Sequence, residues 1–166
     1  MMSILSSKWI MALAIVLAVL VLLWVIGKKS AKAEIVIHAS PEDVWAVLTD
    51  TRTVKNWNKV LIPIQGNLHE GNTIKYEFYQ EENGKAAVMD AKVKQLTTNS
   101  MINQSGGFPG IMTFDHKYII DPTESATTVK IYEVYRGIMV PFWNPTPVEK
   151  SYERLLLQLK NHVENG

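Results

Sequence analysis

Apolar residues follow three different rhythms along this chain. Over residues 9–26 there is no alternation at all, only an unbroken run of Ala, Ile, Leu, Val, Met and Trp. At ~1.5 Å of rise per residue the run is roughly 27 Å long, close to the ~30 Å hydrocarbon core of a bilayer. Trp9 and Trp24 stand near its two ends, where interfacial aromatics belong. The pattern predicts a transmembrane helix over residues 9–27, after a tail of residues 1–8 and before a linker of residues 28–33 that is too short for a flexible tether. A cleaved signal peptide is the alternative, because Ala31-Lys32-Ala33 has a small-x-small look. Against it, the run exceeds the usual apolar region of about 7–15 residues, and Lys28-Lys29 stands where that signal should be neutral.

The second rhythm is helical. A short β-branched run ends at Ser40, which reads as an N-cap followed by Pro41 at the first helical position and acids in the first turn. Val44, Trp45, Val47 and Leu48 then recur at helical spacing, and Trp57 falls in a second short helix. At the other end, after Asn144-Pro145-Thr146-Pro147, the residues Val148, Tyr152, Leu155, Leu156, Leu159 and Val163 form one stripe of a long helix. His162 is expected to face solvent on its last turn.

Between these helices the period is two. Ile74, Tyr76 and Phe78 share one face of a strand over residues 72–80. Asn83-Gly84 reads as a hairpin turn, and the returning strand aligns Ala87, Met89, Ala91 and Val93. A third run aligns Met112, Phe114, His116, Tyr118 and Ile120, and a fourth aligns Val129, Ile131, Glu133 and Tyr135. The opposite faces are charged, as in an antiparallel sheet with one wet side. Only the long C-terminal helix can cover the apolar face.

The run Ile-Val-Ile-His-Ala-Ser-Pro-Glu-Asp-Val-Trp-Ala-Val-Leu-Thr-Asp from Ile35, with Trp57 after it, resembles the opening of the START-like (SRPBCC) helix-grip superfamily. That superfamily includes polyketide cyclases, Bet v 1-type allergens and lipid-transfer domains. The resemblance implies an α+β helix-grip fold: a curved antiparallel β-sheet wrapped around a long C-terminal helix, here over residues 34–166 and preceded by the transmembrane helix. It also implies an apolar ligand cavity. The segments from Phe114 to Ile120 and from Glu133 to Pro141 resemble an uncharacterised ligand-binding branch of the superfamily and add no reaction.

Charge and composition narrow the partners. Four of the 17 basic residues precede Glu34 and no acidic residue does, which leaves 13 basic against 16 acidic residues in the domain. A mildly negative domain does not present the basic face that nucleic acid requires. Lys28, Lys29 and Lys32 after the apolar run, against Lys8 before it, lean towards a cytoplasmic domain by a thin margin. The absence of cysteine leaves the compartment open. His38, His69, His116 and His162 lack metal-ligand spacing, and there is no phosphate loop, dinucleotide fingerprint or Gly-x-Ser-x-Gly elbow, so no cofactor is expected.

The polar exceptions on the apolar face are the candidates for chemistry. A turn over residues 122–126 that pairs Ile120 with Val129 sets His116 opposite Glu133, with Cβ atoms about 4.5–5.5 Å apart. Such a pair can be structural, can orient a ligand carbonyl or hydroxyl, or can act as acid and base. Around it the expected ligand-binding residues are Tyr76, Phe78, Met89, Phe114, Tyr118, Tyr135 and Tyr152. Trp57 is expected as core or cavity wall, with direct ligand contact as the alternative that would make it a ligand-binding residue. Residues 103–110 read as a glycine-rich mobile loop whose Phe108 caps the cavity mouth, and Phe142 and Trp143 as lining the entrance or touching lipid headgroups. The function this implies is membrane-anchored binding of a hydrophobic small molecule: a lipid, isoprenoid or polyketide-like compound. The rivals are a cyclase or dehydratase using His116 and Glu133, and a protein-interaction module of co-chaperone type. Nothing in the sequence sets the oligomeric state.

Overall fold

The structure, a computed structural model, describes residues 2–166, with side chains from Lys8 onward. Helix α1 (Met2–Ile26) contains the apolar run, and none of its span from Lys8 to Ile26 is buried. The expected tail is therefore helical from Met2, and Met1 lies outside the described residues. One residue, Gly27, separates α1 from strand β1 (Lys28–Ile37).

The expected linker of residues 28–33 is thus strand. It pairs with β7 (Thr127–Arg136), from Lys28 opposite Arg136 to Ile37 opposite Thr127. Ala31 and Ala33 point inward and are buried while Lys32 points out, so Ala-Lys-Ala is a strand alternation with small inward residues. Small side chains there let the last helix, α4 (Thr146–Asn165), lie close against this strand.

Helix α2 (Pro41–Thr49) starts as its sequence dictates: Ser40 Oγ accepts the Asp43 N–H at 3.1 Å, and Val44 and Leu48 turn into the core. The short α3 (Val54–Trp57) follows, and Asn58 Oδ1 accepts the N–H groups of Val60 and Leu61 to start β2 (Leu61–Gln65). Then come β3 (Thr73–Phe78), β4 (Ala87–Thr97), β5 (Met101–Phe108) and β6 (Met112–Pro122) before β7. The seven strands form one curved antiparallel sheet in the order β1-β7-β6-β5-β4-β3-β2. A single 3-10 turn, Val140–Phe142, joins β7 to α4.

The segment expected as a mobile loop is largely strand β5. Gly106 is needed for packing rather than for motion: a Cβ there would lie 2.2 Å from the Asp90 carbonyl oxygen and 2.6 Å from the Phe114 ring. α4 closes the inner face, burying Val148, Tyr152, Leu155, Leu156 and Leu159. His162 is half-buried rather than exposed; its ring stacks on Trp57 at 6.0 Å between centroids.

Candidate functional site

The register places His116 directly opposite Glu133, as the alternation predicts. Both side chains face α4, and each residue is only 3% exposed. His116 Nδ1 lies 3.6 Å from Glu133 Oε1, an electrostatic pairing that is longer than a hydrogen bond. The other carboxyl oxygen, Oε2, accepts the hydroxyls of Tyr135, at 2.5 Å, and of Tyr152 from α4. The His116 ring is held edge-on between Tyr118 and Tyr152, with centroids 4.8 and 5.3 Å away.

Burial and then the adjacent Glu133 charge push the Tyr135 and Tyr152 hydroxyls far above the ordinary tyrosine range. Both therefore remain proton donors at any physiological pH. Burial, and after it the charges of Tyr76 and Glu133, acts likewise on Tyr118, and burial lifts Tyr76 to about 12.

His116 Nε2 is the open position of the cluster. It is buried and finds no hydrogen-bond partner among the described residues. An unpaired buried polar atom of this kind costs about 1–3 kcal/mol unless whatever occupies the adjoining space bonds to it.

A cavity of about 60 Å³ lies between the sheet and α4 beside the cluster. Tyr76, Phe78, Met89, Phe114, Tyr135 and Tyr152 line it together with the His–Glu pair, which gathers eight of the expected residues in one wall. A second cavity of about 40 Å³ lies under Trp57 and Tyr118. Leu61, Tyr76 and Gln104 border both cavities and form the partition between them. Gln104 Nε2 donates to the Tyr76 hydroxyl at 2.8 Å, which fixes the partition. Sequence reading missed Gln104 because it lies in β5, read as a loop.

Ligand pockets usually enclose about 300–1,000 Å³, so neither cavity holds a whole lipid as it stands. Outside lies an open cleft of about 580 Å³, whose lining mixes Val88, Phe108 and Met112 with the polar Thr73, Asp90, Lys92, Ser105 and Thr113. It shares Met89, Phe114 and Tyr135 with the inner cavity. Phe108 accordingly stands beside the cleft and not over the cavity, and it is 74% exposed. Trp143 is half-buried against Tyr135, with centroids 4.2 Å apart, while Phe142 beside it is exposed.

A seven-stranded antiparallel sheet closed by a C-terminal helix over a mostly apolar cavity defines a helix-grip protein. The sequence profile of the family described as "Polyketide cyclase / dehydrase and lipid transport" matches residues 28–164, and the chain belongs to that family within the SRPBCC helix-grip superfamily. The match begins where β1 begins.

Solved structures agree on the fold. Protein CV1439 from Chromobacterium violaceum superposes with a TM-score of 0.66 at 18% identity, covering 83% of this chain and 99% of that one. The Aha1 dimer from Colwellia psychrerythraea gives 0.60 at 23% identity over 83% and 98% of the two chains. Ara h 8.0201 gives 0.60 at 14% identity over 84% and 100%. No protein with a curated description matches the chain in sequence.

Proposed function

We propose that this protein is a membrane-anchored binder of a hydrophobic small molecule that carries one polar end. The observation that carries this is the His116–Glu133–Tyr135–Tyr152 cluster in the wall of a mostly apolar cavity, with Nε2 of His116 left without a partner among the described residues. A cavity wall with one open polar position favours a ligand whose polar group bonds His116. The apolar remainder then lies along Met89, Phe114 and Tyr135 into the open cleft, which avoids the small volume of the inner cavity. Burial of apolar ligand surface supplies affinity at roughly 25 cal/mol per Å², and the single polar contact sets orientation.

The family description, which includes lipid transport, supports a lipid, isoprenoid or polyketide-like ligand. For the anchor, the support is a span from Lys8 to Ile26 with a mean hydropathy of 3.0 and no buried residue. The excess of lysines after that span favours the cytoplasmic side for the domain.

The test is extraction and mass analysis of the small molecules that co-purify with the full chain, compared with the Glu133→Gln variant. One apolar compound enriched with the wild-type chain and depleted with the variant supports the reading. Identical bulk-lipid extracts from both would sink it. The proximity of His116 Nδ1 to Glu133 Oε1 favours a second reading, proton transfer on a bound polyketide-like substrate. Conversion of the co-purified compound on incubation, absent in Glu133→Gln, would select that one.

A further inference from the structure

The two most exposed large apolar side chains of the domain are Phe108, at 74%, and Phe142, at 72%. They lie at one end of the sheet together with Ile111 and Met139, each about half exposed. This is the end where α1 joins the domain. A chain of backbone hydrogen bonds ties the segments together: Gly137 N–H to the Gly27 carbonyl at 3.0 Å, Ile138 N–H to Gly110 at 3.1 Å, and Met139 N–H to Ile111 at 3.1 Å.

The joint is built for contact between backbones. A Cβ on Gly27 would lie 2.2 Å from the Gly137 carbonyl oxygen, and one on Gly137, whose φ is +142°, would lie 2.2 Å from the Ile111 carbonyl oxygen. Helix end, β5–β6 turn and β7–α4 connection therefore form one fixed rim. With a single residue between α1 and β1, and at most ~3.8 Å per residue, the rim cannot stand away from the plane where α1 ends.

The chemistry of the rim is that of a membrane interface. Residues 24–29, 106–112 and 136–144 contain no Asp or Glu, and they carry Lys28, Lys29 and Arg136 beside the exposed aromatics. Lys29 Nζ donates to the carbonyls of Pro141 at 3.0 Å and Trp143 at 2.5 Å, holding the turn that presents Phe142.

We infer that this rim is seated in the interfacial layer of the bilayer that α1 crosses, so that the Phe108 side of the open cleft faces lipid rather than water. Phe108 links the two features, since it belongs to the rim and lines the cleft that shares Met89, Phe114 and Tyr135 with the cavity. A ligand would then pass sideways from the leaflet along Phe108 without crossing solvent. The inference rests on the anchoring reading above, and its test separates the two.

The chain has no cysteine, so single substitutions each give a unique labelling site. The full chain is reconstituted in phosphatidylcholine–phosphatidylglycerol vesicles containing spin-labelled lipid, with an NBD fluorophore at Phe108→Cys, Phe142→Cys, Leu17→Cys or Glu124→Cys. Leu17 lies within α1, and Glu124 is exposed in the turn after β6, at the opposite end of the sheet. The expected result is quenching of Leu17→Cys by deep spin labels, and of Phe108→Cys and Phe142→Cys by shallow ones at about twofold or more the level of Glu124→Cys. Leu17→Cys quenched with the two rim sites no different from Glu124→Cys overturns the seating and leaves the anchor standing. Leu17→Cys unquenched overturns both. Thermal melts of the labelled variants establish that the domain is folded, as substitution of exposed side chains should allow.

Discussion

Asp115 and His116 are neighbours in sequence and serve opposite faces of β6, each within reach of a partner of complementary type. On the outer face Asp115 meets Lys94 at 2.8 Å, with both side chains a third or more exposed, and Asn103 Nδ2 also donates to it. On the inner face His116 and Glu133 stand 3.6 Å apart with almost no exposure. The shorter contact is the more exposed one. Water screens the Lys94–Asp115 pair, whereas in the interior each group depends on the few partners that the fold supplies. Distance alone is a poor guide to which pair the domain depends on.

Raising the pH should break the inner cluster first. Tyr76, Tyr118, Tyr135 and Tyr152 all have folded-state hydroxyls held above the ordinary value of 10.0, by burial first of all. Between that value and the raised ones, the unfolded chain loses protons that the native one keeps, so stability falls as pH rises above about 10. At pH 11 the four tyrosines together should remove on the order of 5 kcal/mol. Thermal melts across the alkaline range, with tyrosinate absorbance as the second signal, will show this. Stability that stays level from pH 9 to about pH 11 would mean that these hydroxyls are solvated.

Glu133→Ala comes next. It leaves two tyrosine hydroxyls buried without their acceptor and His116 without its charge partner, and should cost about 3–5 kcal/mol in denaturant titration. A loss below about 1 kcal/mol would show that water reaches the cluster freely. Lys94→Ala should change stability by only about 0.2–1 kcal/mol. Its signature lies in acid. Burial raises the Asp115 pKa, but the hydrogen bonds from Lys94 and Asn103 outweigh it and hold the carboxyl below its usual range. The stability this confers is present above the unfolded value of about 3.8 and is lost as pH falls through the folded one. The variant should therefore lose less stability than wild type on acidification, and an unchanged acid limb would assign the shift to Asn103 instead.

The inner face was legible in the sequence because period-two alternation reports orientation directly. It placed Phe114, His116, Tyr118, Glu133 and Tyr135 on one side, and a correct turn placed His116 against Glu133. The stripe of α4 brought Tyr152 to the same wall. What escaped was signalled by small residues. Ala31 and Ala33 permit the close approach of α4, and Gly106 permits that of Phe114, yet in a sequence both look like linker or loop. Gln104 was lost with β5, and with it the partition that divides the cavity. The size of the enclosed space was also illegible, because it depends on how the Tyr76 ring and its partner settle together and not on pattern.

On the proposed function, the joint at Gly27 sets what kind of traffic the protein would serve. A carrier on a long tether can leave its membrane to collect cargo, whereas, if α1 is the anchor proposed above, a body fixed to it by one residue would sample only what diffuses past in two dimensions. Its reach is its own height: β6 has 11 residues, so its far tip stands on the order of 36 Å from the rim. Anything handed onward must be collected by an acceptor that comes within that radius.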